Sequence, residues 1–207
     1  MPARLPSVAA IALAVSMALA PGAAAEGVAG HGVAENLPRA ERTATASGLI
    51  APAAACPDQA SLTAPVEAQE QAMLCMTDFA RTAVGLGQLA DAEELDRSSL
   101  EKAEDVIRCD SFSHFACGRE FTYWIRESGY IDDRCWRAGE NLAWGNGEYG
   151  SVRAIFRAWM RSPTHRQNIL GDYSQVGIAL STGALEGHES ARIWAAHFGS
   201  HCESATG

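Results

Sequence analysis

Three side chains able to ligate a metal or move a proton stand at wide, nearly even intervals: His114, Glu140 and His165, 26 and then 25 residues apart. Two neutral imidazoles and one carboxylate make a set of three zinc ligands that leaves a fourth position for water. Zinc held there would lower that water's pKa or polarise a carbonyl. The spacing itself predicts no metal, because no H-E-x-x-H helix presents two ligands on one face. Each residue also has a structural reading. His114 could hydrogen-bond a loop carbonyl, and Glu140 could accept backbone N–H groups. His165, just after Ser162-Pro163, could cap a helix or pair with an acid. Asn141 suits a turn, and Asn168 suits bonds to backbone around one. His197 alternates with Trp194 and Ala196, so it faces either a cleft edge or solvent, and solvent is the expectation. His31 and His188 fall in connecting segments, and His201 just precedes Cys202.

Nucleophiles are scarcer. Ser113 beside His114 is too local to make a triad. Cys117 lies three residues after His114, but the chain carries six cysteines, Cys56, Cys75, Cys109, Cys117, Cys135 and Cys202. An even count with no C-x-x-C pair argues for three disulfides rather than a metal site or a free thiol. Fifteen pairings exist for six cysteines and sequence does not choose among them. Short-range pairing of Cys56 with Cys75 and Cys109 with Cys117 is expected, with Cys135 and Cys202 tying the middle of the domain to its last strand.

An oxidising destination agrees with the N-terminus. One charge at Arg4, an uncharged apolar run from Ser7 to Ala20, and small residues at Ala23-Ala24-Ala25 lay out a secretory signal over 1–25. The run is short for a membrane span of roughly 20 residues, and no second long apolar stretch follows, so a stable membrane anchor is not expected. Residues 26–55 are rich in Ala, Gly, Pro and charge without helical or strand period, and read as a flexible linker. The remaining 56–204 is enough chain for one domain with a full core. Net charge is −9 with no basic stripe, which argues against nucleic acid as a partner.

Four helices should position the candidate residues. Val66 to about Val84 carries Met73, Met76, Phe79 and Ala80 on one face and stops at Gly85 and Gly87. The next runs from Asp91, an expected N-cap, to Ile107. Phe121, Trp124 and Ile125 mark a third, stopped near Gly129. Val152, Ile155, Phe156 and Trp159 fall at i, i+3, i+4 and i+7 of a fourth, bounded by Pro163. Short strands are expected at 141–144, 175–181 and 191–198. Helices first and strands later suggest α+β, with helices packed on a small antiparallel sheet. Trp124, Trp136, Trp144 and Trp159 read as core.

Five segments in order then carry a resemblance. Ser111-Phe112-Ser113-His114, Gly139-Glu140-Asn141-Leu142-Ala143-Trp144-Gly145, Trp159 through Leu170 with its Ser162-Pro163-Thr164-His165-Arg166, Val176-Gly177-Ile178-Ala179, and Trp194 through Gly199 resemble the bacterial branch of the CAP superfamily (cysteine-rich secretory protein, antigen 5, pathogenesis-related protein; SCP-like domain). The resemblance implies an α-β-α sandwich. It also implies a cleft of two histidines and acidic residues, often able to hold a divalent metal such as zinc. Carried over by motif, these are His114, Glu140 and His165. Ser162 stands where many eukaryotic members have a second glutamate, so the four-residue cleft is incomplete.

The resulting expectation is a secreted, extracytoplasmic binding module for a lipid-like molecule or a protein partner, with a divalent metal held by His114, His165 and Glu140 as an option. The alternative is a metal-dependent hydrolase of peptidase type in the same cleft. No catalytic residue is assigned, since neither a nucleophile with its base nor a second glutamate is present.

Overall fold

The computed structural model describes residues 12–19, 46–133 and 135–201. Five strands form one sheet in the order β1-β3-β5-β4-β2. They are β1 (Ala12–Leu19), β2 (Ala90–Asp91), β3 (Trp136–Gly145), β4 (Gln175–Leu185) and β5 (His188–His201). The helices are α1 (Val66–Ala83), α2 (Glu93–Arg108), α3 (Thr122–Glu127), α4 (Val152–Arg161) and α5 (Pro163–Ile169). All pairings are antiparallel except β2 with β4.

Side-chain alternation assigns each face its layer. Val176, Ile178, Leu180, Trp194, Ala196 and Phe198 join one core with Met73, Met76, Ile155, Phe156 and Trp159, so α1, α4 and α5 cover that face. Leu142, Trp144, Ile193 and Ala195 join Ala103 and Val106 on the other. Trp136 and Ala138 extend that second layer to Leu95 and Ile125. The result is an α-β-α sandwich, as expected. On α4 the four residues at i, i+3, i+4 and i+7 are at most 1% exposed, and each such side chain contributes roughly 1.5–3 kcal/mol by leaving water.

Several boundaries move. Pro163 does not simply end α4; it occupies the first turn of α5, where its missing N–H costs nothing. Asp91 is a β2 residue paired with Val176, and Ala92 precedes α2. The strand paired with the last one begins at Trp136, five residues before the expected Asn141. Trp124 is only partly buried, and its indole N–H donates to Asp105 at 2.7 Å.

Within the span read as an export signal, 12–19 lies along β3, from Ala12 opposite Trp144 to Leu19 opposite Arg137. The rest of that span, and the linker up to 45, lie outside the described residues. The end of the linker is not free: Leu49 and Ala51 are buried in the core with Cys56, and the Arg153 guanidinium donates to the Ala51 carbonyl at 2.9 Å. Leu49, Ile50 and Ala51 are too short an apolar run to show a period, and with them the ordered body begins before Cys56.

Cys56–Cys75 and Cys109–Cys117 are disulfides. Cys135 is also disulfide-bonded, while Cys202, its expected partner, lies outside the described residues.

Candidate functional site

The G-E-N segment of β3 sends its residues to both faces. Gly139 is pressed against Tyr173, whose hydroxyl would lie 2.6 Å from an added Cβ. Asn141 and Asn168 are buried on that same face. Asn141 donates to the His165 carbonyl at 3.1 Å, and Asn168 donates to the Glu140 carbonyl at 3.2 Å and to the Asn141 side chain at 2.8 Å. These amides tether α5 to β3, so Asn141 clamps a helix instead of making a turn, while Asn168 bonds backbone as expected.

Glu140 faces the other way, toward α2, and is fully buried. One carboxylate oxygen accepts from His114 Nδ1. The other accepts from His197 Nε2 at 2.8 Å. His197 Nδ1 lies 2.7 Å from Ser98 Oγ. The Lys102 ammonium sits 4.0 Å from Glu140 and donates to the His114 carbonyl at 2.6 Å. Burial pushes the Glu140 carboxyl up, but the hydrogen bonds from His114 and His197 and the nearby charges outweigh it and hold it near a pKa of about 2. Burial lowers the Lys102 pKa, and Glu140 and Asp105 oppose that shift.

Three devices fix the turn that carries His114. Cys109–Cys117 closes it. Lys102 holds its main chain. The fully buried Asp105 accepts both Arg119 and Trp124, anchoring the chain just after the turn. The ring nitrogen left over, His114 Nε2, is buried and meets no partner among the described residues. Next to it, Phe115 is 60% exposed.

The residues expected from sequence therefore assemble only in part. His114 and Glu140 meet. His165 does not join them: its helix packs on the opposite face through Asn141, and its Nδ1 bonds Ser162 Oγ at 2.7 Å. Ser162, in the position of the absent second acid, thus serves His165. His197, expected in solvent, is buried and completes the cluster. Its cross-strand register opposite Glu140 decides this. Alternation had placed it opposite Trp194, and that pattern was the available signal. Ser98 and Lys102 carried none, since they look like ordinary helix residues. His188 stacks against Trp144 with ring centroids 4.9 Å apart, and His201 bonds the Tyr130 carbonyl at 2.9 Å.

A three-ligand zinc site of His114, Glu140 and His165 does not fit this geometry. His165 is across the sheet, and both Glu140 oxygens are occupied by imidazoles. The described residues contain no grouping of three such side chains suited to a metal. Ser98, His197 and Glu140 do repeat the connectivity of a hydroxyl–imidazole–carboxylate triad. Yet Ser98 is 1% and His197 0% exposed, and the Ser98 hydroxyl also reaches the Leu95 carbonyl at 2.8 Å. A nucleophile must touch substrate, and this one touches only protein. The arrangement is a locked polar core with one buried imidazole nitrogen that meets no partner among the described residues.

Comparisons agree with this architecture. The Bacillus subtilis (strain 168) protein YkwD is 29% identical over 151 residues, covering 72% of this chain and 54% of that protein. This chain thus spans about half the length of that relative. Among solved structures, an extracellular protein of Bacillus anthracis containing an SCP domain superposes with a TM-score of 0.52 at 17% identity, over 64% of this chain and 40% of its own. An outer surface protein of Borrelia burgdorferi gives a TM-score of 0.52 at 18% identity, over 63% and 90%. The pattern described as the cysteine-rich secretory protein family, CAP, matches residues 76–198. With that match over more than half its length and an α-β-α sandwich beneath it, the chain belongs to the cysteine-rich secretory protein (CAP) family.

Proposed function

We propose that this protein is an exported binding module, and that its ligand, a lipid-like molecule or a protein partner, docks at the turn carrying His114 and Phe115. One observation carries the reading: His114 Nε2 is buried, unpartnered among the described residues, and rigidly presented. With Nδ1–H donating to Glu140, a neutral His114 offers Nε2 as an acceptor. A buried acceptor left unmade costs about 1–3 kcal/mol, so a ligand that brings a donor recovers that cost. The exposed ring of Phe115, the next residue along the same turn, supplies apolar area. Export is supported by the signal layout at 1–25 and by the disulfides. No helix among the described residues is long and apolar enough to cross a membrane.

Lipid extraction from the purified protein, paired with a His114→Ala variant, tests this. Copurifying or transferable lipid that falls at least tenfold in the variant, with unchanged circular dichroism, is the expected result. Protein capture that depends on His114 in the absence of lipid would point to the protein-partner form. Retention of all binding by His114→Ala would sink the site. Turnover of ester or peptide libraries that is abolished by the same substitution would favour a hydrolase instead.

A further inference from the structure

A second surface stands apart from the His114 site, where β4 runs between the two helical layers. Beyond its two-residue pairing with β2, the outer edge of β4 has no neighbouring strand among the described residues. Carboxylates from two helices cap it instead. Asp96 of α2 accepts the Ile178 N–H at 2.9 Å, and Glu70 of α1 accepts the Leu180 N–H at 2.9 Å. The groove between the helices has a volume of about 240 Å³. Leu74, Leu100, Ile178 and Ala179 give it an apolar lining, with Leu100 43% exposed at the rim. Asp91 closes the β2 end.

The charges here are not balanced. Arg97 is the cation at the groove, and Glu93 already holds it at 2.7 Å, with Ser128 O a second acceptor. Glu70, Asp91 and Asp96 form no ion pair with a described residue, and Glu67 adds to the field around Glu70. Each carboxylate reinforces the others. Burial first, and then Asp91 and Glu70, push the Asp96 carboxyl up to about 6. Burial followed by Glu67 and Asp91 raises that of Glu70, against the Leu180 N–H bond. Glu70 and Asp96, half-buried like charges above an apolar floor with the exposed Asp91 beside them, are unfavourable to the fold itself, which makes them candidates for a ligand's purpose.

We infer that this groove docks a basic side chain, arginine or lysine, from an extended segment of a partner protein. The charge complementarity selects the head group. The apolar lining suits the methylene stem that such side chains lay along apolar surface. The volume suits one side chain and falls short of the roughly 300–1,000 Å³ of drug-sized ligand sites. With the β4 N–H groups already taken by Asp96 and Glu70, the partner binds through its side chain and not as an added strand.

The test is an amide chemical-shift titration of the protein with N-acetyl-arginine amide, and with N-acetyl-citrulline amide as the neutral isostere. The arginine probe should shift the Leu74, Leu100, Ile178 and Leu180 amides at millimolar concentration, at least tenfold more tightly than citrulline. Its affinity should fall severalfold from pH 7.5 to pH 5, as Asp96, with its carboxyl pushed up to about 6, takes up a proton. Asp96→Asn with Glu70→Gln keeps the acceptors for both N–H groups and removes the charge, so it should abolish the preference. Leu100→Lys, at an exposed position, should fill the groove from within and block the probe. No shifts, equal shifts from citrulline, competition by calcium alone at the same amides, or probe-free shifts that grow with protein concentration would each overturn the proposal.

Discussion

Glu140 shows how far a single buried carboxylate can set local chemistry. It is ionised in the core because two imidazoles and the Lys102 ammonium compensate for its lost hydration. Its folded pKa, about 2, lies below the ordinary value of 4.5. Its contribution to stability is therefore complete above pH 4.5 and is lost as pH falls toward 2. Glu140→Gln should cost roughly 3 kcal/mol at pH 7, because it removes the larger of the two counter-charges on buried Lys102 and leaves only Asp105. Urea denaturation from pH 7 to pH 3 should also show a flatter acid limb in the variant. An unchanged limb would mean that other carboxylates govern acid unfolding.

Asp96 has the opposite sign. Its folded pKa is raised to about 6 from 3.8, so its stabilising state is the protonated one. The favourable condition is full below pH 3.8 and is lost as pH rises through 6. Asp96→Asn keeps the acceptor for Ile178 and should raise stability at pH 7.5 by about 1 kcal/mol, after a discount for its partial exposure. At pH 3.5 wild type and variant should unfold together. A gain that persists there would assign the effect to something other than charge.

Among the elements, the contact between α2 and β4 is the one that holds the site's outer layer in place. At Gly177 an added Cβ would stand 2.0 Å from the Leu95 carbonyl carbon and 2.1 Å from the Asp96 nitrogen. No side-chain rotamer relieves a clash with backbone. Gly177→Ala should therefore displace α2 and cost more than about 3 kcal/mol. It should also disturb Ser98, Ser99 and Lys102 together: Ser99 donates to the Gly177 carbonyl at 2.9 Å and accepts the His197 N–H at 3.1 Å. Thermal unfolding and histidine proton shifts would report both effects. A folded variant with unshifted His114 and His197 resonances would show that α2 tolerates the movement. The fourth helix was legible because its apolar stripe repeats four times at helical spacing. The early start of β3 was not, because the alternation of Trp136, Arg137 and Ala138 covers only three residues, too short a run to distinguish strand from loop.

For the whole molecule, covalent and buried polar ties join parts of the chain that the sheet does not link. Arg81 of α1 donates to the carbonyls of Gly87, Ile169, Gly171 and Tyr173, fastening α1 to the loop after α5. Cys56–Cys75 closes a 19-residue separation and pins the segment holding Leu49 and Ala51. A Cys56→Ser/Cys75→Ser double variant should lose about 3 kcal/mol, the loop-entropy value for such a span. Proteolysis should then start within 46–60. Unaltered stability would mean that core burial of Leu49 alone holds the segment.

By itself the sequence determined what depends on composition and short-range spacing. These features are the expected export signal, the even cysteine count, the stripe on α4, and five motifs in an order that names the family. The tertiary structure decided which of those residues meet. Glu140 and Asn141 are neighbours in sequence but face opposite layers, because successive strand residues alternate across a sheet. That one-residue step sends His165 away with Asn141. The antiparallel register of β3 with β5 brings in His197 from 57 residues along the chain. Register is a property of two strands at once, so no spacing within either one reveals it.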